Sequence, residues 1–273
     1  MNWGKFSLGL LIALFNLELS VGSEPAESAA ESTFMQLLEA DWDEVFFDSG
    51  AGDWRERWTL DGEFATLENS DAGMAFTAGP EAFEDAHHAV LWTRQDFAGS
   101  LKIEYEYTRL DDVLRMTTIL FIQATGSGEP GYDEDISKWA DKRAVPAMSQ
   151  YFGNMHLYHL SYAAYGKRAA DIDDDYVRAR RYVAKRLGGT QIKGDTFKTG
   201  LFRTGVPHRI TVIKHQKNIY MRVSSPEKTA FFHFHNRKLP PVEFGKIGLR
   251  HMSTRSARYK DFKVSALASD DMN

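Results

Sequence analysis

The 273-residue chain contains no cysteine. This absence excludes thiolate catalysis, disulfide bonds and zinc sites built from cysteine. A chain without disulfides depends on its hydrophobic core, which a length of 273 residues with 43% hydrophobic residues can supply. The sequence also lacks a Walker-type loop, a dinucleotide-binding fingerprint, a G-x-S-x-G nucleophile motif and internal repeats. Nucleotide binding and serine-nucleophile catalysis therefore have no support from motifs.

An excess of positive charge is missing as well. Against 33 Lys and Arg residues stand 38 Asp and Glu residues, which gives a net charge of −5. Nucleic-acid binders are basic overall or along a stripe, so no nucleic acid is expected as a partner. A local basic patch can still bind an acidic sugar on a negative protein. The net charge therefore does not exclude an anionic poly- or oligosaccharide, which is the predicted partner.

Long apolar runs are absent except near the start, where the largely apolar stretch Phe6–Leu17 follows Lys5. The pattern is typical of a cleavable secretory signal and is short for a bilayer span, which needs roughly 20 apolar residues. We predict a signal peptide over residues 1–23 and a periplasmic or secreted protein that has no membrane contact after cleavage; a retained anchor is the alternative. N-terminal sequencing of the native protein should then begin near Glu24.

The remaining chain divides into three parts. Residues 24–41, rich in Ala, Glu and Ser, are predicted to be a spacer, and residues 268–273 a tail. Residues 42–267 alternate apolar and polar side chains between turns that contain Gly and Asp, as strands do. Such strands at short, even spacing and with few helices predict an all-β domain, an antiparallel sandwich or jelly roll.

The residues that can carry chemistry concentrate between Asn154 and Arg181. The stretch Met155 to Tyr165 is aromatic and apolar without Pro or Gly, which predicts a strand. Residues 168–185 are highly charged and are interpreted as a loop or a short helix. Side chains alternate along a strand. One face of the predicted strand therefore carries His156, Tyr158, Leu160 and Tyr162, and the other carries Met155, Leu157, His159, Ser161 and Ala163.

Three segments resemble the frame of concanavalin A-like lectin/glucanase domains: VFFDSGAGDW, VLWTRQDFAGSLKIEYEYTRLDD and GKIGLRHMSTRSARYKDFKV. Together with YHLSYAAYG and the Arg-rich stretch after it, the chain resembles the YesU-like family (DUF1961), a domain of unknown function, over roughly Trp42 to Leu267. The resemblance implies a jelly-roll sandwich with a concave sugar-binding face, often found in bacterial systems that degrade plant or algal polysaccharides. It implies no settled reaction.

Elimination beside a uronic-acid carboxylate is the reaction that the central stretch favours. It needs a base, a group that neutralises the carboxylate and an acid for the leaving oxygen. The leaving group would be a sugar in a polysaccharide lyase or water in an oligosaccharide dehydratase. The predicted catalytic residues are His156, Tyr158, His159, Tyr162 and Arg178. The predicted substrate-binding residues are Gln123, Asn154, Arg180, Arg250 and His251.

Two catalytic sets stay open at this point. His159, Tyr162 and Arg178 can act together only if a β-bulge re-aims one of them, because His159 and Tyr162 are three residues apart on the predicted strand. Otherwise His156, Tyr158 and Tyr162 form the set. For each residue the competing interpretation is an ordinary role in packing the sandwich.

Two other functions stay open. A non-catalytic, lectin-like protein would use the same face for binding alone. A retaining glycosidase would use Glu104 and Glu106, whose i, i+2 positions on one strand face come near the ~5–5.5 Å that separates such carboxylates.

No cofactor is expected from the sequence. The acidic run at residues 172–176 leaves a structural Ca²⁺ open, because hard cations take carboxylate oxygens. His233 and His235 are two residues apart and share a strand face, but no third ligand is identified, so no metal site is predicted.

Overall fold

The computed structural model describes Met1, residues 26–186 and residues 188–268. The predicted signal peptide, apart from Met1, and all of the predicted tail except residue 268 lie outside these ranges. Within them, no helix is both long enough and apolar enough to cross a membrane.

Strands dominate the described residues. The helices are α1 (Ala26–Leu38) and α2 (Met148–Asn154), and 3₁₀ segments occur at Trp54–Glu56, Asp85–His87 and Ile136–Arg143. The strands are β1 (Trp42–Asp48), β2 (Trp58–Asp61), β3 (Thr66–Ser70), β4 (Gly73–Thr77), β5 (Ala89–Thr93), β6 (Phe97–Ala98), β7 (Leu101–Arg109), β8 (Met116–Gly126), β9 (Met155–Tyr165), β10 (Asp175–Tyr182), β11 (Thr196–Phe197), β12 (Pro207–His215), β13 (Asn218–Ser224), β14 (Thr229–His235), β15 (Phe244–His251) and β16 (Ser256–Leu267).

These strands form two antiparallel sheets. The first has the order β14-β13-β12-β7-β16-β4-β3, with β1 paired to β16. The second has the order β11-β10-β9-β8-β15-β5-β2, with β6 paired to β15. The chain crosses between the sheets at several points, for example from β7 to β8 and from β14 to β15, and the two layers pack face to face. The predicted all-β antiparallel sandwich is confirmed.

The main core lies between the two sheets. Ile103, Tyr105 and Tyr107 point inward from β7, and Leu120 and Ile122 meet them from β8, all with no exposed surface. The alternation of apolar and polar residues in β7 fixes which side of this strand faces the core. Each fully buried aliphatic side chain stabilises the fold by about 1.5–3 kcal/mol.

Helix α1 packs on the outer face of the first sheet. Phe34 is buried there, with its ring 5.3 Å from Phe231 and 6.2 Å from Tyr220. The predicted spacer at residues 24–41 contains this helix. Alanine and glutamate have high helix propensity, and the buried ring of Phe34 fixes the helix to the sheet.

A second covering layer lies on the outer face of the second sheet. Residues 136–154, called the cover below, comprise the 3₁₀ segment Ile136–Arg143, a short link and α2. Trp139 and Tyr151 of the cover are buried in a cluster with Trp92 and Phe121 of the sheet. The cover hides one part of this outer face and leaves the part near β10 accessible.

Candidate functional site

Strand β9 has two chemically different faces. Tyr158, Leu160 and Tyr162 belong to the core between the sheets. Met155 and Leu157 belong to the cluster under the cover. On the same side as the latter pair, His159 packs edge-on against Phe121, with 5.7 Å between ring centroids. The two faces match the predicted alternation as far as Tyr162.

A bulge follows Tyr162 and changes the alternation. Ala163 has a φ of 44° and packs into the core between the sheets, and the register with β10 shifts between Tyr176 and Arg178. Because this bulge lies after both His159 and Tyr162, it does not bring them to one face. His159 therefore faces outward and Tyr162 faces the core.

The register of the second sheet brings outward side chains together in rows. In one row, Arg178 pairs with Ser161, Ser161 with Ile119, and Ile119 with Arg250. Antiparallel partners lie about 4.5–5.5 Å apart, so these side chains are neighbours.

The next row places Arg180 beside His159 and His159 beside Phe121. Three arginines, a histidine and a serine thus lie together on the outer face of this sheet, where Arg178 and Arg180 are partly exposed and the other three are buried. We call this set, Arg178, Arg180, Arg250, His159 and Ser161, the arginine cluster.

One carboxylate already bridges two of these arginines. Nε of Arg178 donates to Oδ2 of Asp195 at 2.7 Å, and Nη1 of Arg180 donates to Oδ1 at 3.2 Å. The Arg178 side chain is 28% exposed and that of Arg180 is 13% exposed, so solvent reaches the pair. The geometry shows that β10 presents two guanidinium groups at the spacing of a single carboxylate.

Arg250 contributes a buried cation with unused donors. Its side chain is fully buried, Nη2 donates to the carbonyl of Pro146 at 2.8 Å, and the guanidinium lies 4.6 Å from the Tyr151 ring centre. Nε and Nη1 have no hydrogen-bond partner among the described residues. A buried guanidinium with free donors is costly, and it becomes favourable when an anion approaches.

His159 is held as a neutral imidazole. Its Nε2 lies 2.6 Å from Oγ of Ser161, and Nδ1 has no hydrogen-bond partner in the described part of the chain. Burial lowers the pKa of His159 well below its usual range, and the positive charges of Arg180, Arg250 and Arg178 lower it further. At neutral pH this histidine is therefore uncharged, and its free ring nitrogen can take part in a hydrogen bond.

A buried network fixes the cover above these residues. The carboxylate of Asp61 accepts from Nε and Nη2 of Arg143 at 2.6 and 3.2 Å, from Nε1 of Trp92 at 2.7 Å and from the hydroxyl of Tyr151 at 3.1 Å. Since every partner is a donor, the geometry favours the ionised carboxylate. Asp61 and Arg143 thereby hold the cover, including Pro146 and Tyr151, over Arg250.

The tyrosines predicted as catalytic do not lie in the arginine cluster. Tyr162 packs between the sheets against Tyr105, Tyr107 and Phe202. The Tyr158 hydroxyl accepts from Nδ2 of Asn236 at 3.1 Å on the same inner side. The structure therefore corrects the predicted catalytic role of both tyrosines. Side chains alternate along the strand, so when His159 faces outward the even-numbered residues beside it face the core.

His156 and Asn154 also lie apart from the arginine cluster. Nδ1 of His156 accepts from the backbone N–H of Ala184 at 3.4 Å. Asn154 ends α2, and its Nδ2 donates back to the backbone and side chain of Gln150. The catalytic set made of His156, Tyr158 and Tyr162 is therefore wrong as a surface site, since two of its members face the core.

Gln123 has a structural role instead of the predicted binding role. It lies at a bulge of β8 with a φ of 55°, and its Nε2 donates to the carbonyls of Phe97 and Gly99 at 3.3 and 3.0 Å. A buried amide needs such partners. These hydrogen bonds hold the amide nitrogen of Gln123 against the backbone of β6 and of the residue that follows it.

His251 is likewise a core residue. It follows the outward-facing Arg250, so alternation turns it inward, where Nε2 lies 2.8 Å from the Tyr259 hydroxyl and the ring stacks on Phe76 at 4.4 Å. The predicted binding role of His251 is corrected by its position in the core, and that of Arg250 stays a prediction.

The buried His251 predicts a loss of stability in acid. Burial lowers the pKa of His251 to about 3, whereas the unfolded chain protonates this residue near its ordinary pKa. The stabilising contribution is thus complete above about pH 6.5 and is lost as the pH falls towards 3, at a cost of about 2 kcal/mol by pH 5. Urea unfolding at pH 7 and pH 5 should show a smaller drop for His251→Gln than for wild type. The exposed His235→Gln should keep the wild-type drop, and equal drops for all three proteins would contradict the assignment.

The carboxylates proposed for a glycosidase lie elsewhere. Glu104 is on the outer face of the first sheet, where it pairs with Lys263 at 3.1 Å and Arg209 at 3.9 Å. Glu106 shares that face, which is the opposite side of the sandwich from the arginine cluster. The two glutamates lie on a solvated face and are not part of this site.

Metal ligation has no geometric support in the described ranges. No group of three or more His, Asp or Glu side chains is placed there to hold a metal. In the acidic run, Asp174 accepts backbone N–H groups of Ala170 and Asp171, and Asp175 accepts from Thr199 and Gly200. These carboxylates organise turns.

Sequence reasoning missed three contributors to the site, namely Tyr176, Thr117 and Asp195. The Arg178 guanidinium lies 4.4 Å from the centre of the Tyr176 ring, and the Tyr176 hydroxyl is 3.4 Å from Oγ1 of Thr117. The segment around Arg178 was interpreted as loop or helix but is strand β10. Assigned as a strand, its i, i+2 pattern would have put Tyr176, Arg178 and Arg180 on one face.

The family model described as a domain of unknown function (DUF1961) matches residues 51–264. The chain belongs to this family. Among solved structures, it is similar to a protein of unknown function with a galectin-like fold from Bacillus subtilis, at 18% identity and a TM-score of 0.61, covering 84% of this chain and 100% of that one.

Two plant lectins share the DUF1961 chain's fold at lower identity. Peanut lectin matches at 10% identity with a TM-score of 0.55, covering 84% of this chain and 100% of that one. Lectin II from Ulex europaeus matches at 10% identity with a TM-score of 0.53, covering 81% and 98%. A search of curated protein sequences finds no significant match. The DUF1961 domain therefore has the lectin-like sandwich, and at these identities the likeness concerns the fold alone.

Proposed function

We propose that this DUF1961 protein is a lectin-like binder of acidic saccharides and that the arginine cluster holds a carboxylate of the ligand. The observation that carries the proposal is the Asp195 carboxylate, which bridges Arg178 and Arg180 beside the unused donors of Arg250. A uronic-acid carboxylate has the same chemistry and shape. Planar guanidinium groups bind carboxylates through paired, charge-assisted hydrogen bonds.

Aromatic side chains lie beside the arginine cluster, as is typical of sugar-binding sites. The Tyr176 and Phe197 rings are 5.9 Å apart, and the Arg178 guanidinium lies over both, at 4.4 and 5.7 Å from their centres. Phe197 is 59% exposed. The apolar C–H face of a sugar ring can pack on such a surface while its carboxylate reaches the arginines. The lectin-like fold supports a saccharide as the ligand.

The bridging carboxylate gives a direct test, because Asp195 competes with the ligand for the same guanidinium groups. Replacing Asp195 by Asn frees both arginines, so we expect acidic oligosaccharides to bind severalfold more tightly in isothermal titration calorimetry. Asp173→Asn removes a carboxylate that pairs with Arg203 outside the arginine cluster and should leave affinity unchanged. Unchanged or weaker binding by Asp195→Asn would count against the proposed anion site.

Elimination is a second candidate function, favoured by the state of His159. The imidazole is neutral, and its Nδ1 has no partner among the described residues while three arginines surround it. The arginine cluster would stabilise the enolate of a bound uronate as His159 removed the α-proton. Tyr176, which is partly exposed beside Arg178, is the group on this surface that could protonate the leaving oxygen.

This second candidate has a clear kinetic test. If elimination occurs, incubation with uronic-acid oligosaccharides will produce the ultraviolet absorbance of an unsaturated uronide. His159→Gln should then lower turnover by about 10²–10⁴-fold with binding retained. Tyr162→Phe, which changes a core position, should have little effect. Binding without any unsaturated product would leave the protein a binder and rule out the elimination.

A further inference from the structure

We propose that a second acidic sugar unit binds in a cleft of about 870 Å³ lined by Phe83, Arg115, Thr117, Lys167 and Met252 among other residues. The ligand would then be an oligosaccharide chain with at least two acidic units. This inference rests on the proposed function, because the first unit occupies the arginine cluster.

The cleft and the arginine cluster are parts of one surface. Thr117 lies two residues before Ile119 on β8, and Met252 lies two residues after Arg250, so both continue the outward rows. The Thr117 hydroxyl in the cleft is 3.4 Å from the Tyr176 hydroxyl. The Tyr176 ring lies under Arg178 in turn. A ligand that extends from the arginine cluster past Tyr176 would therefore reach Thr117 in the cleft.

Two residues that line the cleft have strained backbone conformations. Phe83 has a φ of 70° and Met116 a φ of 64°, and both residues line it. Bulky residues in the left-handed region cost about 1–3 kcal/mol each and concentrate at functional sites. The backbone N–H of Phe83 donates to Oγ of Ser253 at 3.1 Å, which fixes the strained turn.

The strained turn holds an exposed aromatic ring at the mouth of the cleft. The Phe83 side chain is 66% exposed, and the Arg115 guanidinium lies 5.9 Å from its ring centre. An aromatic face beside a cation can stack a sugar ring and bind the carboxylate that the sugar carries.

The charge of the cleft matches an acidic unit. Arg115 and Lys167 both line it, and within the described residues neither forms an ion pair with a carboxylate. Asp85 lines the cleft too and contacts Nε2 of His88 at 3.4 Å, and because burial lowers the pKa of His88 to about 4, Asp85 is the one charge among the lining residues that the structure describes that is set against the two cations. Two cations thus remain available to a ligand, and Thr117 and Asp85 can hydrogen-bond sugar hydroxyls.

The test uses the full mature chain and a size series of oligogalacturonates and glucuronate-containing oligosaccharides of one to six units. Affinity should rise by about tenfold or more between the single unit and the longer chains, because a second unit adds the cleft contacts. Phe83→Ala, and separately Arg115→Gln with Lys167→Gln, should abolish this gain and leave binding of the single unit unchanged. Phe244→Ala, which removes a ring with 53% exposure outside the cleft, is the matched control.

Three outcomes distinguish the second subsite from the proposed function. Loss of the length dependence in the cleft variants alone supports the second subsite. Binding that depends on Arg178 but not on ligand length or Phe83 overturns the second subsite and leaves the proposed function standing. Failure of every acidic saccharide to bind wild type overturns both.

Discussion

Replacing Asp61 by Ala is expected to lower the free energy of unfolding by about 3–5 kcal/mol. The reason is that Arg143 keeps its charge in a buried position after losing its only carboxylate partner in the described structure, while Trp92 and Tyr151 each lose an acceptor. A desolvated charge without a counter-ion is among the most destabilising changes available to a core. Urea denaturation followed by intrinsic tryptophan fluorescence would measure the loss.

Two controls make this result specific to the buried pair. Asp173→Ala removes a carboxylate from an exposed ion pair with Arg203 and should change stability little, because solvent screens the pair. The double variant Asp61→Ala/Arg143→Met removes the stranded charge and should be more stable than Asp61→Ala alone. A double variant as unstable as the sum of both single variants would contradict the stranded-charge explanation.

The second large effect concerns binding. Changing Arg178 and Arg180 together to Gln should weaken acidic oligosaccharide binding by about 10²–10⁴-fold, since each charge-assisted hydrogen bond contributes about 1.5–3 kcal/mol. The variant should still fold, because both side chains reach solvent. Titration calorimetry gives the affinity, and circular dichroism with thermal melting checks the fold.

Matched variants separate charge from geometry in that experiment. Arg178→Lys keeps the charge but loses the planar fork, so its affinity should fall between wild type and the double variant. Arg209→Gln removes a partly exposed arginine from the outer face of the first sheet and should leave binding unchanged. An equal loss from Arg209→Gln would mean that net charge, and not the arginine cluster, controls binding.

Local periodicity predicted much of this molecule. Alternation divided the β9 side chains into the two faces that the structure shows, without indicating which face is the core, and the even spacing of strands predicted the antiparallel sandwich. The same rule applied to consecutive residues would have shown that Arg250 and His251 cannot share a face. Which of the two faces outward depends on the pairing of β15 with β8, which the sequence does not display.

Bulges and long-range partners account for what local pattern did not predict. Gln123 is turned to the β6 carbonyls by a bulge between Ile122 and Thr125, and one inserted residue is invisible in a periodic pattern. Asp195 reaches Arg178 from a separate segment 17 residues along the chain. No spacing motif predicts this contact, because the conformation of the loop between the two residues determines how close they come.

If the arginine cluster binds a carboxylate of the sugar ligand, the affinity should depend on the charge of that carboxylate. The most direct measurement is a calorimetric comparison of one uronic-acid oligosaccharide with its own methyl ester, on wild type and on the Arg178→Gln/Arg180→Gln variant. We expect wild type to bind the acid far more tightly than the ester and the variant to show little preference between them. Equal binding of acid and ester by wild type, or the same preference in the variant, would contradict this expectation.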